Sequence, residues 1–215
     1  MAGRSQDKLN SAMREVQSAG IKGSLSIVQL DVTDEQSIKE AARRVHEEHG
    51  RLDVLVNNAA AGNIDPDAKT RFTISLTTNV IGPAMLAEAF RPLLLGGDNP
   101  YSVYVSSGTG SLSMAADPAG VTYFPNEDAY RASKAALNMV AIKEWKDFGS
   151  KGLKVFAFCP GFVISNIRGT SEDARTGGGK AGDPMVSGQS LLDIIEGRRD
   201  ADDGKFVHKD GVYPW

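Results

Sequence analysis

Three apolar runs constrain this chain more than anything else in it: LDVLVNNA (52–59), YSVYVSS (101–107) and LKVFAFCPG (153–161). Each is apolar at neighbouring positions rather than alternate ones, as a strand covered on both faces must be. Between them lie stretches long enough for helices. Strands that alternate with helices of ten or more residues build right-handed βαβ units, so the expectation is an α/β chain with a parallel sheet between two helical layers.

The remaining pattern agrees. Leu9, Met13 and Val16 fall at helical spacing over 6–19, with Gly20 as a stop. LSIVQLDV (25–32) reads as a short buried strand ending near Asp31. TDEQSIKEAARRVHEEHG (33–50) predicts a helix with Thr33 or Asp34 as N-cap and Gly50 as C-cap. A helix is expected over roughly 69–94, interrupted at Gly82 and Pro83 because proline removes a backbone donor. Further helices are expected at 127–147 and 188–197, and a last short strand at 204–211. Two segments resist regular assignment, 108–126 and 168–188, both rich in glycine and small polar residues. They are read as loops on the substrate side, since both come after strands at their carboxyl ends. The whole of 1–215 reads as one domain.

Composition excludes little but points one way. Twenty-four basic against 27 acidic residues give a net charge of −3, no reason for a nucleic acid or a membrane surface as partner. Cys159 is the single cysteine, so no internal disulfide can form, and its apolar setting reads as a core thiol. A cytoplasmic location is the expectation. His46 and His49 lie on a charged helical face and read as solvated, and no cluster has metal-ligand spacing.

The chemistry sits in AYRASKAALN (129–138). Tyr130 and Lys134 are four residues apart, so a helix stacks them on one face. A phenol titrates near 10 when unperturbed, and a nearby ammonium favours its ionised form. That would bring the phenol within reach of proton transfer. Alone, this spacing is too short to be specific. It is accompanied by Ser106 and Ser107 at the end of one strand, VNNAA at the end of another, Asn79 within TTNVIGP, and CPGFVISN at the end of a third.

In this order these stretches resemble the short-chain dehydrogenase/reductase family, from about residue 4 to the C-terminus. The resemblance implies a Rossmann-like doubly wound parallel sheet and hydride exchange between NAD(P) and a carbonyl or alcohol. It implies that Tyr130 is the acid/base, that Lys134 lowers its pKa and holds the nicotinamide ribose, that Ser107 orients the substrate oxygen, and that Asn79 serves the proton relay through a local helix distortion. For the cofactor it implies Asp31 and Val32 beside the adenine and the turn Asn58, Ala59, Ala60 beneath it, with Ala60 where glycine is usual. It also implies Val163 and Ser165 at the nicotinamide amide. Arg4 matches a basic residue that favours the 2′-phosphate, which makes NADP the expected cofactor, with NAD as the other choice. A small-molecule substrate and a homodimer or homotetramer are implied as well.

Two departures matter. The interval from Ser107 to Tyr130 is longer than the family's, which leaves Ser111 and Ser113 as substitutes for Ser107. And AGRSQDKL resembles the segment just after the family's second strand, so the first two strands and the T-G-x-x-x-G-x-G turn that holds the pyrophosphate are expected to be lacking. Three outcomes stay open: a shortened form of a longer protein, a chain whose strand 25–30 pairs directly with 53–57, or edges completed by a second copy. Dinucleotide binding is then weakened or lost. The alternatives are cofactor-independent acid/base chemistry (elimination, isomerisation or cyclisation) and a non-catalytic binding chain.

Overall fold

The structure, a computed structural model, describes residues 1–62, 64–119 and 127–215. Among the described residues the strands are β1 (Ala2–Gly3), β2 (Val28–Gln29), β3 (Val54–Asn57), β4 (Tyr101–Val105), β5 (Lys154–Phe158), β6 (Phe206–His208) and β7 (Gly211–Tyr213). The helices are α1 (Gln6–Ser18), α2 (Glu35–His49), α3 (Ala68–Leu76), α4 (Gly82–Leu94), α5 (Leu112–Ala115), α6 (Asp128–Phe148), α7 (Glu172–Thr176) and α8 (Pro184–Ile195). This is an α/β Rossmann-like fold with a mixed, mainly parallel sheet.

The main sheet runs β3-β4-β5-β6-β7, parallel except for the final β6–β7 hairpin. Register places Val56 opposite Val103 and Val103 opposite Phe156. Side chains of β5 alternate between two cores. Val155 and Ala157 pack with Leu137 and Ala141 of α6, while Phe156 and Phe158 pack with Ile194 of α8. A strand with a packed helix on each face must be apolar throughout, which is why these runs carry no polar alternation.

The edge near the N-terminus differs from the direct pairing of 25–30 with 53–57 that the sequence left open. Strand 25–30 shrinks to Val28–Gln29, and its partner is Ala2–Gly3 rather than 53–57. Ala2 and Gly3 thus lie in a strand, where the sequence placed them just after one. β1 and β2 form a parallel sheet of their own, and β3 pairs on one side only among the described residues. A cavity of about 730 Å³ lies between the two sheets, lined by Met1–Arg4, Val28, Leu30 and Val54–Asn57, with Leu86 and Phe90 of α4 among its apolar walls. Packing of α2 on α4, through Ile38, Ala41, Leu86 and Phe90, joins the two parts.

Local signals hold well. Asp34 caps α2, accepting from the amides of Gln36 (2.8 Å) and Ser37 (3.2 Å), and Gly50 ends it in the left-handed conformation at φ 72°. His46 and His49 are exposed on that helix. The expected interruption before Gly82–Pro83 is a π turn, Thr77–Ile81, between α3 and α4. The segment 168–188 is more regular than expected. It holds α7 and the start of α8, where Asp183 caps the helix and Pro184 opens it. Of 108–126, residues 108–119 form a 3-10 turn and α5, and the remainder lies outside the described residues. No helix among the described residues is long and apolar enough to cross a membrane.

Candidate active site

β4 ends beside the first half of α6, and that junction gathers the candidate catalytic residues. The last residue of β4, Val105, offers its carbonyl to Lys134 Nζ at 2.7 Å. Ser106 turns inward and donates to Asn138 Oδ1 at 2.6 Å, a structural bond. Ser107 points the other way, caps the 3-10 turn Gly108–Gly110, and lies 2.9 Å from Thr109 Oγ1. Gly110 permits this approach. A Cβ there would lie 2.7 Å from the Lys134 carbonyl carbon, so a side chain would drive α6 away from β4.

Lys134 is 2 % exposed, and burial pulls its pKa down to about 8. Its Nζ sits 5.6 Å from the centroid of the Tyr130 ring. The phenol does not move as the sequence suggested. Burial pushes Tyr130 up to about 12, and the charges of Cys159 and Glu127 push the same way. Hydrogen bonding to Ser107 and the charge of Arg168 oppose this without prevailing. Desolvation outweighs the neighbours, so in this state the phenol holds its proton.

Asn79 is buried in the π turn and bonds in three directions. Its Oδ1 accepts from the Ala61 amide (2.7 Å), and its Nδ2 donates to the Ala61 carbonyl (2.9 Å) and to Ser133 Oγ (2.9 Å). Ser133 donates in turn to the Tyr130 carbonyl at 2.7 Å. Nearby, Arg71 of α3 grips Asp128, two residues before Tyr130, with Nε at 2.7 Å and an Nη at 2.9 Å. That pair holds the Asp128 carboxyl down at about 2.

The residues expected at the cofactor fall into two groups. Arg4, Asp31, Val32, Asn58, Ala59 and Ala60 all line the cavity beside β3. Asp31 accepts from both the amide (2.9 Å) and the hydroxyl (2.7 Å) of Thr33, which with the charge of Arg4 lowers its pKa. Val163 and Ser165 stand apart, after β5. There Ile164 donates to the Gly182 carbonyl (3.0 Å) and Ser165 to that of Arg175 (3.2 Å). Arg168 ties this segment down through the carbonyls of Val163 (2.8 Å) and Arg175 (2.7 Å). The cavity lining includes none of Tyr130, Lys134 or Ser107.

Ser111 and Ser113, the other serines the sequence offers, are engaged elsewhere in this structure. Ser111 Oγ donates to the Pro214 carbonyl and Ser113 Oγ to that of Trp215, both at 2.7 Å, so they anchor the C-terminus. Cys159 is buried at the end of β5 and accepts from the Gly108 amide at 3.1 Å. Sequence reasoning missed Arg71, Asp128 and Ser133. Ser133 alone had a signal, its place three residues after Tyr130 on one helical face.

Residues 1–176 match the short chain dehydrogenase family. The chain belongs to that family. As a short-chain dehydrogenase/reductase it is an oxidoreductase, and curated relatives agree. It is 33% identical to short-chain dehydrogenase/reductase tropE of Talaromyces stipitatus, over 87% of this chain and 75% of that protein. It is 31% identical to short-chain dehydrogenase/reductase eupG of Phoma sp, over 86% and 75%. Among solved structures, the NADPH-bound carbonyl reductase from chicken fatty liver superposes with a TM-score of 0.83 at 26% identity, over all of this chain and 86% of that one.

Proposed function

We propose that this short-chain dehydrogenase/reductase carries out NADP(H)-dependent reduction of a carbonyl on a small organic molecule, or the reverse oxidation of the alcohol. The observation that carries this reading is the junction of β4 and α6, where a protonated phenol, a buried ammonium and a serine hydroxyl meet. The phenol carries a proton that it can give to a carbonyl oxygen as negative charge develops there, and a nearby cation offsets the burial that holds the proton on. Ser107 directs that oxygen toward Tyr130, and Lys134 stabilises the phenolate left behind. Asn79 holds the first turn of α6 in place and takes part in returning the proton.

The donor set fits a nicotinamide dinucleotide. Lys134 is a buried ammonium that donates one hydrogen bond among the described residues, which leaves two N–H groups for ribose hydroxyls. Arg4 borders the cavity that would take the adenine end, with Asp31 and Val32 beside the ring and Asn58, Ala59 and Ala60 beneath it. Val163 and Ser165 would meet the carboxamide. When bound, the nicotinamide supplies or takes up the hydride. Arg4 favours a 2′-phosphate, hence NADP over NAD. The NADPH-bound state of the chicken carbonyl reductase supports the same choice. A homodimer or homotetramer is the proposed assembly.

Titration with NADPH and NADH, followed by nicotinamide fluorescence, tests this directly. Micromolar NADPH binding is expected, with NADH weaker by tenfold and Arg4→Gln erasing the difference. No binding at millimolar cofactor to folded protein would overturn the reading.

A further inference from the structure

Tyr130 sits in the first turn of α6. Ala129 in that turn is fully buried, as are Lys134, Leu137 and Ala141 further along, so one face of the helix is held by packing. Among the described residues, the Glu127 side chain caps none of the first amides. How the turn that carries the phenol is oriented then depends on what grips it from another element.

Arg71 meets that turn from another element. Its side chain is 9% exposed, and all three of its nitrogens are engaged. Nε and Nη2 reach the two oxygens of Asp128, at 2.7 and 2.9 Å. Nη1 reaches the carbonyls of Asp65 (2.9 Å) and Pro66 (3.2 Å), in the segment between β3 and α3. A planar guanidinium making a two-pronged carboxylate bond fixes orientation as well as distance. Asp128 in turn accepts from the Ala129 amide at 2.8 Å, in the same turn as Tyr130.

We propose that Arg71 is a positioning residue which, through Asp128, pins the first turn of α6 and so sets the Tyr130 phenol against Ser107 and Lys134. The inference rests on the reading of Tyr130 as proton donor. It adds a clamp that joins the segment after β3 to the catalytic helix across 57 residues of sequence.

The test uses Arg71→Gln, Arg71→Lys, Asp128→Asn and the double variant Arg71→Gln/Asp128→Asn, each as the full chain. Hydrogen exchange of the cofactor-free protein is read over 128–134 and, for comparison, over β4 and β5. Arg71→Gln and Asp128→Asn should each speed exchange in the first turn of α6 by tenfold or more, with β4 and β5 unchanged. The double variant should be no faster than either single one. In carbonyl reduction, kcat should fall at least tenfold while KM for NADPH stays within twofold. Arg71→Lys should recover only part of this, because an ammonium cannot span both carboxylate oxygens and two carbonyls. First-turn protection that is unchanged, a loss spread equally over β4 and β5, or unaltered kcat with a loosened turn would each overturn the proposal. If the wild-type chain reduces no carbonyl, the reductase reading fails, and the exchange pattern alone still decides whether the clamp exists.

Discussion

Asn79 and Ser133 meet at 2.9 Å, and this bond links the π turn to the helix that carries Tyr130. Asn79 is fully buried and also satisfies both backbone groups of Ala61, so its amide ties the end of β3 to α6. Asn79→Ala should leave the half-buried amide and carbonyl of Ala61 without this partner, costing about 1–3 kcal/mol of stability. Urea unfolding checks this without any cofactor. A cost below about 1 kcal/mol would mean that water replaces the amide freely.

The two serine positions should separate cleanly. Ser107→Ala removes the hydroxyl nearest the phenol and should lower kcat by roughly a hundredfold, as should Tyr130→Phe or more. Ser111→Ala breaks a bond to the Pro214 carbonyl and a cap on α5. It should cost about 1 kcal/mol of stability and leave kcat within a few-fold. Steady-state kinetics beside thermal melts would show it, and the reverse pattern would move the catalytic serine to 111.

How much of this was legible in the sequence depends on distance along the chain. The strands were readable because Val155, Phe156, Ala157 and Phe158 are apolar on both faces. The α2 caps and the π turn arise from residues within a few positions of Asp34, Gly50 and Pro83. What could not be read is set by contacts between distant segments. Arg71 finds Asp128 from 57 positions away, and Arg168 orders 163–175 by bonding carbonyls that have no sequence signature. The split between the β1–β2 pair and β3 depends on which backbone edges meet. The direction of the Tyr130 shift was missed for the same reason: spacing places an ammonium nearby, but only the fold shows how deeply the phenol is buried.

Two glycines sit where the backbone of another segment comes too close for a side chain. A Cβ on Gly82 would lie 2.6 Å from the Val32 carbonyl oxygen, where α4 leans on the segment after β2. Gly82→Ala should therefore cost about 1–3 kcal/mol through forced separation. Gly110→Ala meets the α6 backbone at Lys134 instead, and should lower both stability and kcat. Comparing the two by urea unfolding and by kcat tests the claim that Gly110 reaches the catalytic residues while Gly82 meets only Val32 at the cofactor end. Equal effects on kcat would refute it.

Lys134 gives the sharpest pH signature. Burial takes its pKa from the usual 10.5 to about 8, while Tyr130 keeps its proton to about 12. The rate of carbonyl reduction should therefore fall above pH 8 as the ammonium is lost, well before the phenol titrates. Lys134→Arg should abolish that fall, because a guanidinium stays charged there. Stability moves the opposite way. Between pH 8 and 10.5 the unfolded chain binds a proton at this position that the folded chain does not, so stability rises with pH across that window. Below pH 8 the folded state carries the whole cost of a buried cation. Lys134→Met should thus be more stable than wild type at about pH 7, by a few kcal/mol at most. That advantage should shrink above pH 8 and vanish near 10.5. Urea midpoints of the two proteins at about pH 7, 9 and 10.5 decide it. A difference that does not change with pH would mean Lys134 has the same pKa folded and unfolded, as a hydrated ammonium would.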